Sequence, residues 1–273
     1  MAAMLYCYSQ TLIYSVSIYS ELLFTFLQLL SYYVIYSNPK KIANHMVIVS
    51  SLILAMCTIT RSTGSICTVV PLFYTGHKLV GQFSENELSL IRGTKHVMTI
   101  LLIILVVGII PIVTITSWKP FELYCLPRIE LENSDEELPV WCLDSIPNVY
   151  NYIQKVYWKV GWLGFLDRPW YLMATSLFTN QLFFYIFYRC IRGFGPVSFF
   201  TLGVFNPGEK DNQTSVFNNR NMLPHVYIFL VNMTVVLLLA NAEINSRVAS
   251  TCPFYFYAFS QLILECHKDL NKS

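Results

Sequence analysis

The chain has 273 residues, 55% of them hydrophobic and 12% charged, with a formal net charge of +2. Soluble domains carry about a quarter charged residues, so half that share, with a mean hydropathy of +0.49, puts this chain in a bilayer. So small a net charge, without any basic run, excludes nucleic acid as a partner. The sequence holds no Walker loop, no G-x-G-x-x-G fingerprint, no H-E-x-x-H and no cysteine–histidine metal spacing, so no metal or cofactor is expected.

The predicted elements are all helical and form one membrane domain over residues 1–273. Met1–Ala3 lacks the charged start of a cleaved signal peptide, and the apolar run Met4–Tyr14 is too short to span. Ser20–Tyr36 is a span that Asn38-Pro39 and then Lys40-Lys41 end, and His45–Thr60 returns to Arg61. Ile66–Phe83 is weaker, interrupted by Pro71, Gly76, His77 and Lys78, and reads as broken or re-entrant. Val97–Ile115 is the strongest span, followed by Pro169–Tyr188 and Pro224–Ala242. Pro253–Leu264 is short and reads as re-entrant or incomplete. If the spans alternate, Lys40, Lys41, Lys78, Arg92, Lys95, Arg189, Arg192, Lys210 and Arg220 share one side, which the positive-inside rule makes cytosolic. The loop at residues 190–223 then faces the cytosol and residues 117–169 face the lumen. Lys119, Arg128, Lys155, Lys159 and Arg168 also fall in the lumenal loop, so the inverted topology stays open. His45, His77, His96, His225 and His267 fall near cytosolic ends and read as interfacial rather than ligating.

Between the two strongest spans lies the aromatic stretch Pro139–Phe165, PVWCLDSIPNVYNYIQKVYWKVGWLGF, which Pro139, Pro147, Gly161 and Gly164 break. Asn148, Tyr152 and Lys155 recur at helical spacing, with Tyr150, Ile153, Tyr157 and Gly161 on a second stripe. That pattern predicts a short amphipathic helix lying along the interface. Most cysteines fall in or beside spans, where a thiol acts as a small apolar group. Cys125 and Cys142 instead share the predicted lumenal loop, where an oxidising compartment permits a disulfide; two unrelated buried thiols are the alternative.

Three islands in this order resemble the GPI mannosyltransferase 2 family. Tyr19–Phe24 (YSELLF) with Thr60–Ile66 (TRSTGSI) is similar to the family's Y-S-E…R-S-N-G pair. Trp141-Cys142 followed by YNYIQKVYWKVGW resembles its large lumenal loop, and Ser246–Phe259 (SRVASTCPFYFYAF) its R-x-x-x-S-S-T-P-x-x-Y-W-F element. The resemblance implies a multi-span enzyme of the endoplasmic reticulum membrane. It would transfer the second mannose, α-1,6-linked, from dolichyl-phosphate mannose to the GPI-precursor glycolipid, with room for a small membrane partner subunit. It also implies cysteines at both disulfide positions. The family's H-W-D tripeptide, whose aspartate would be the base, lies upstream of Y-S-E; it does not occur here, which reads as an N-terminally truncated member.

By that resemblance the substrate- or donor-cavity candidates are Glu21, Arg61, Arg247, Tyr157, Trp158, Ser250 and Thr251. Arg247 is the first choice for the donor phosphate, because a guanidinium fork with neighbouring hydroxyls matches phosphate geometry. Plainer readings stand beside these. Glu21 at a helix start and Arg61 at a helix end are each favoured by the macrodipole, and Arg247 serves as an interfacial anchor. Asp144 is expected to cap the turn at Ser145 rather than act as a base. A non-catalytic homologue or isoform and, as the weaker alternative, a small transporter are the other functional classes open to this sequence.

Overall fold

The computed structural model describes residues 20–37, 44–84, 90–130, 138–145, 147–156, 170–203, 215–239 and 252–271. Among them every regular element is helical. α1 (Ser20–Tyr36) and α2 (Asn44–Thr60) are antiparallel neighbours, and a 3₁₀ stretch (Ser62–Thr68) leads into α3 (Val69–Ser84). α4 is one helical rod over residues 90–130. α5 (Val149–Val156) is short; α6 (Trp170–Phe194) and α7 (Pro196–Phe200) follow, then α8 (Leu223–Leu239) and α9 (Pro253–Leu270).

The polarity of the bundle is inside out. α1 presents Leu22 (51% exposed) and Phe26 (58%) outward while burying Gln28 and Ser31. Ser31 meets Ser50 of α2, hydroxyl to hydroxyl, at 2.6 Å. α4 exposes Met98, Leu101, Leu102, Ile109, Ile110 and Val113. Water would penalise so broad an apolar surface. Lipid does not, and helices in lipid associate through close packing and polar contacts in the interior. Two helices, Thr94–Ile129 and Arg220–Leu238, are long and apolar enough to cross a membrane.

Two packed clusters form the interior. One joins α1, α2, α3 and α4 around Leu54, Val70 and Val107; the other joins α6, α8 and α9 around Ile186, Phe229 and Phe254. Tyr36 links them, its hydroxyl 2.8 Å from His225 Nε2 and within reach of the Asn221 carbonyl at 3.1 Å. His225 is therefore a buried structural partner, although it sits near a helix end where an interfacial ring was expected.

Three helix boundaries differ from expectation. α3 runs unbroken through Gly76, His77 and Lys78; the break lies ahead of it, and Pro71 is tolerated because it falls in the first turn. The strongest span does not stop at Ile115 but continues past Trp118, so Cys125 sits on a helix rather than in a loop. Its prolines at 111, 120 and 127 are absorbed by wide π turns at Ile104–Ile109, Thr114–Trp118 and Phe121–Cys125. Thr114 and Thr116 hydroxyls return bonds to the carbonyls of Ile110 and Ile112. The helix Thr94–Ile129, 36 residues, is about 54 Å long at 1.5 Å per residue, longer than the roughly 30 Å of hydrocarbon that a crossing needs. The last element is a full helix to Leu270, not a re-entrant fragment. It starts deep in the bundle, where Asn232 of α8 faces Cys252 Sγ at 3.7 Å.

Candidate functional site

The site begins where α2 ends. Arg61 turns extended (φ −153°, ψ 133°) and the 3₁₀ stretch folds back, the Gly64 N–H donating to the Arg61 carbonyl at 2.8 Å. Gly64 lies directly on the backbone of α2: a Cβ there would stand 2.7 Å from the Thr58 nitrogen. This close approach explains the glycine in R-S-T-G and fixes the direction of Arg61. The guanidinium reaches the Phe24 ring, 5.9 Å from its centroid, and its Nη1 is buried. Phe24 is one turn beyond Glu21 on α1, so the two motif halves meet as the first turn of α1 and the last of α2. Consecutive antiparallel helices lead one to expect Glu21 and Arg61 to approach each other at this end, but the Glu21 side chain lies outside the described residues.

Below Arg61 a polar column runs through the bundle. The Cys57 thiol faces the Phe24 carbonyl at 3.5 Å. Gln28, fully buried, donates from Nε2 to the Tyr32 hydroxyl at 3.0 Å and faces Cys67 Sγ at 3.3 Å. Its Oε1 accepts no hydrogen bond among the described residues. The Tyr32 ring stands edge-on to His225 at 4.5 Å. Sequence reasoning missed Gln28 and Asn232. The available signal was a lone amide within an apolar span, which is costly there unless it has a partner. The column offers a cation, amides, hydroxyls and thiols but no carboxylate among its described members. Such a set can hold an anion or a hydroxyl-rich group, and its described members include no carboxylate to serve as a base.

The second half of the site is stapled. Cys125 of α4 and Cys142 are disulfide-bonded with Cα atoms 5.7 Å apart. They pack with the buried Trp141 against Phe121, Leu138, Val149 and Tyr152. The short amphipathic helix expected here is α5; Asn148, Tyr152 and Lys155 share one face of it, with Val149 and Tyr152 packed against the disulfide segment and Ile153 and Lys155 exposed. A cavity of about 730 Å³ opens beside it, lined by Pro120, Tyr124, Pro139, Trp141, Val149, Tyr152 and Ile153. Arg128 stacks on Tyr124 at 3.7 Å from the ring centroid. Pro120 also lines an apolar groove of about 520 Å³ between α2 and α4, with Ile59, Ile110, Leu123 and, at its polar edge, Lys119. Lys119 pairs with Glu122 at 2.7 Å. The apolar groove and the aromatic cavity share Pro120 as a common wall.

Asp144 is exposed in a bend and makes no hydrogen bond among the described residues, so the expected turn-capping bond is not seen. Tyr157, Trp158, Arg247, Ser250 and Thr251 lie outside the described residues.

Helices with amides inside and aliphatic side chains outside, joined to a stapled aromatic segment, define a helical membrane protein. The chain belongs to the mannosyltransferase (PIG-V) family, which matches residues 1–273. It is 22% identical to GPI mannosyltransferase 2 of Drosophila melanogaster over 95% of this chain and 58% of that protein. It is 24% identical to GPI alpha-1,6-mannosyltransferase 2 of Mus musculus, over 96% and 55% of the two chains. With the Homo sapiens protein of that name the identity is 24%, over 100% and 57%. The chain thus spans somewhat more than half the length of these curated relatives. No solved structure matches.

Proposed function

We propose that the chain is the donor-holding and acceptor-shaping portion of an enzyme that adds an α-1,6-linked mannose to the GPI precursor, drawing it from dolichyl-phosphate mannose in the endoplasmic reticulum membrane. Family membership over the whole chain is the observation that carries this reading. The acceptor 6-hydroxyl attacks the anomeric carbon, the bond to the dolichyl phosphate oxygen breaks, and one in-line displacement turns a β donor into an α product. Arg61, with Arg247, Ser250 and Thr251, would stabilise the departing phosphate. Tyr157 and Trp158, with the Trp141–Tyr152 cavity, would hold the acceptor sugar. The proton acceptor belongs, by the resemblance, to the H-W-D aspartate, a tripeptide absent from these 273 residues. In this reading the protein is multi-pass, with residues 117–169 lumenal and 190–223 cytosolic.

The experiment is complementation of cells lacking the second GPI mannose, scored by surface GPI-anchored protein. The chain alone is expected to fail. A chimera completed with the segments of the human relative that it does not match should succeed. A completed chimera that accumulates in the membrane yet leaves the surface bare, while the human protein rescues, overturns the proposal.

A further inference from the structure

At the end of the bundle opposite the disulfide, α6 closes on a second cavity, of about 450 Å³, lined by Tyr185, Tyr188, Arg189, Arg192, Phe217 and Asn218 among others. Arg189 and Arg192 are three residues apart and share one helical face. Arg189 is immobilised: its Nη2 is 2.8 Å from Glu265 of α9, its Nη1 3.3 Å from the Tyr185 hydroxyl, and the Phe217 ring centroid lies 4.7 Å from its guanidinium carbon. The 215–218 turn approaches as closely as it does because residue 193 is glycine; a Cβ there would run into the Phe217 carbonyl. Glu265 takes up the charge of Arg189. Arg192 is exposed, and its only polar contact among the described residues is the Tyr188 hydroxyl at 3.3 Å. Most of its five N–H donors are thus available, in a rigid fork suited to phosphate.

The rim fixes the level of this cavity. Phe184, Tyr185 and Tyr188 are all exposed on the adjoining turns of α6, and exposed tyrosines mark the boundary between hydrocarbon and headgroups. An arginine one turn beyond that boundary stands at phosphate depth.

We propose that the Arg189–Arg192 cavity binds a phosphate group, that of an anionic membrane lipid, with the phosphate on Arg192 and the acyl chains over Phe184 and Tyr188. This site is separate from Arg61 and does not depend on the mannosyl-transfer reading. Arg192 makes the contact, Tyr188 orients it, and Arg189, held by Glu265, forms the charged wall.

The test is thermal stabilisation of the purified chain in neutral detergent, titrated with short-chain phosphatidic acid, phosphatidylcholine of the same chains, or inorganic phosphate. Phosphatidic acid should stabilise and phosphatidylcholine should not. Arg192→Gln should weaken the effect about tenfold or more, and Arg192→Lys should be intermediate. Tyr188→Phe, which removes the orienting hydroxyl and little else, should weaken it less. Lys155→Gln, exposed on α5, should change nothing. Equal affinity for inorganic phosphate and the lipid identifies the free anion as the ligand of the same site. Equal stabilisation by the two lipids, or an Arg192→Gln protein that binds like the wild type, overturns the proposal.

Discussion

Gly64 and Gly76 separate two uses of glycine within one stretch of chain. At Gly64 the obstruction is backbone: a Cβ would stand 2.7–2.8 Å from atoms of Cys57 and Thr58, so neither side can yield without moving α2. Gly64→Ala should cost about 1–3 kcal/mol by overpacking, read as a fall in unfolding temperature in detergent. Gly76 has nothing within 4 Å and an ordinary helical backbone; Gly76→Ala should stabilise by about 0.4–1 kcal/mol. Equal effects of the two substitutions would refute the packing account of R-S-T-G. Arg61 is a question of chemistry rather than packing. If it stabilises a leaving phosphate, Arg61→Gln should lower transfer by the completed enzyme roughly tenfold or more. Arg61→Lys should recover only part, because the fork is lost while the charge stays. Full activity in Arg61→Gln would leave it as a helix-end cation.

Between elements, two ties carry different kinds of stability. The Cys125–Cys142 bond closes 17 residues of chain separation, for which the chain-entropy model gives about 3 kcal/mol. Cys142→Ser should lower the unfolding temperature and raise amide exchange in α5. Reductant should reproduce both effects in the wild type and add nothing in the variant. The α6–α9 tie is ionic. Burial alone would raise the Glu265 carboxyl, but hydrogen bonds from Gln261 and Arg189, with the charges of Arg189 and Lys268, outweigh it and hold the pKa below the usual carboxylate value. A depressed folded pKa stabilises when the group is ionised. The contribution is therefore complete above the unfolded value of about 4.3, and it disappears as pH falls through the lower folded value. Both partners are about a third exposed, so the gain is about 0.2–1 kcal/mol. The stability gap between wild type and Glu265→Gln should be present at neutral pH and close on acidification through that window; a gap that widens would contradict it.

Across the whole molecule, the topology can be read by glycosylation. Leu143 is exposed and is followed by Asp144 and Ser145, so Leu143→Asn creates an acceptor sequon in the stapled segment. A lumenal segment should then show a glycosidase-sensitive shift. The natural sequon at Asn212-Gln213-Thr214 should remain unmodified, since it falls in the 190–223 loop that the charge pattern assigns to the cytosol. The reverse pattern would invert the topology and put the stapled segment in the cytosol.

What the sequence determined by itself was the part written in local pattern. Apolar length and low charge specify helices in lipid. Asn38-Pro39 and Arg61 mark where α1 and α2 turn, and the islands around Glu21, Arg61 and Trp141 point to the family. The tertiary structure decided whatever depends on partners distant in the chain. Gln28 is legible as a misplaced amide, but only folding brings Cys67, 39 residues away, to its side. The span expected to end at Ile115 runs on as α4 through Pro120 and Pro127, because wide π turns accommodate its prolines, and packing of 104–113 against α2 holds that geometry. Arg189 and Arg192 look alike as two basic residues at a helix end. One is neutralised by Glu265, 76 residues away, and the other is left facing a cavity. Local sequence encodes propensity and burial period, whereas pairing across the bundle is a property of the packed whole.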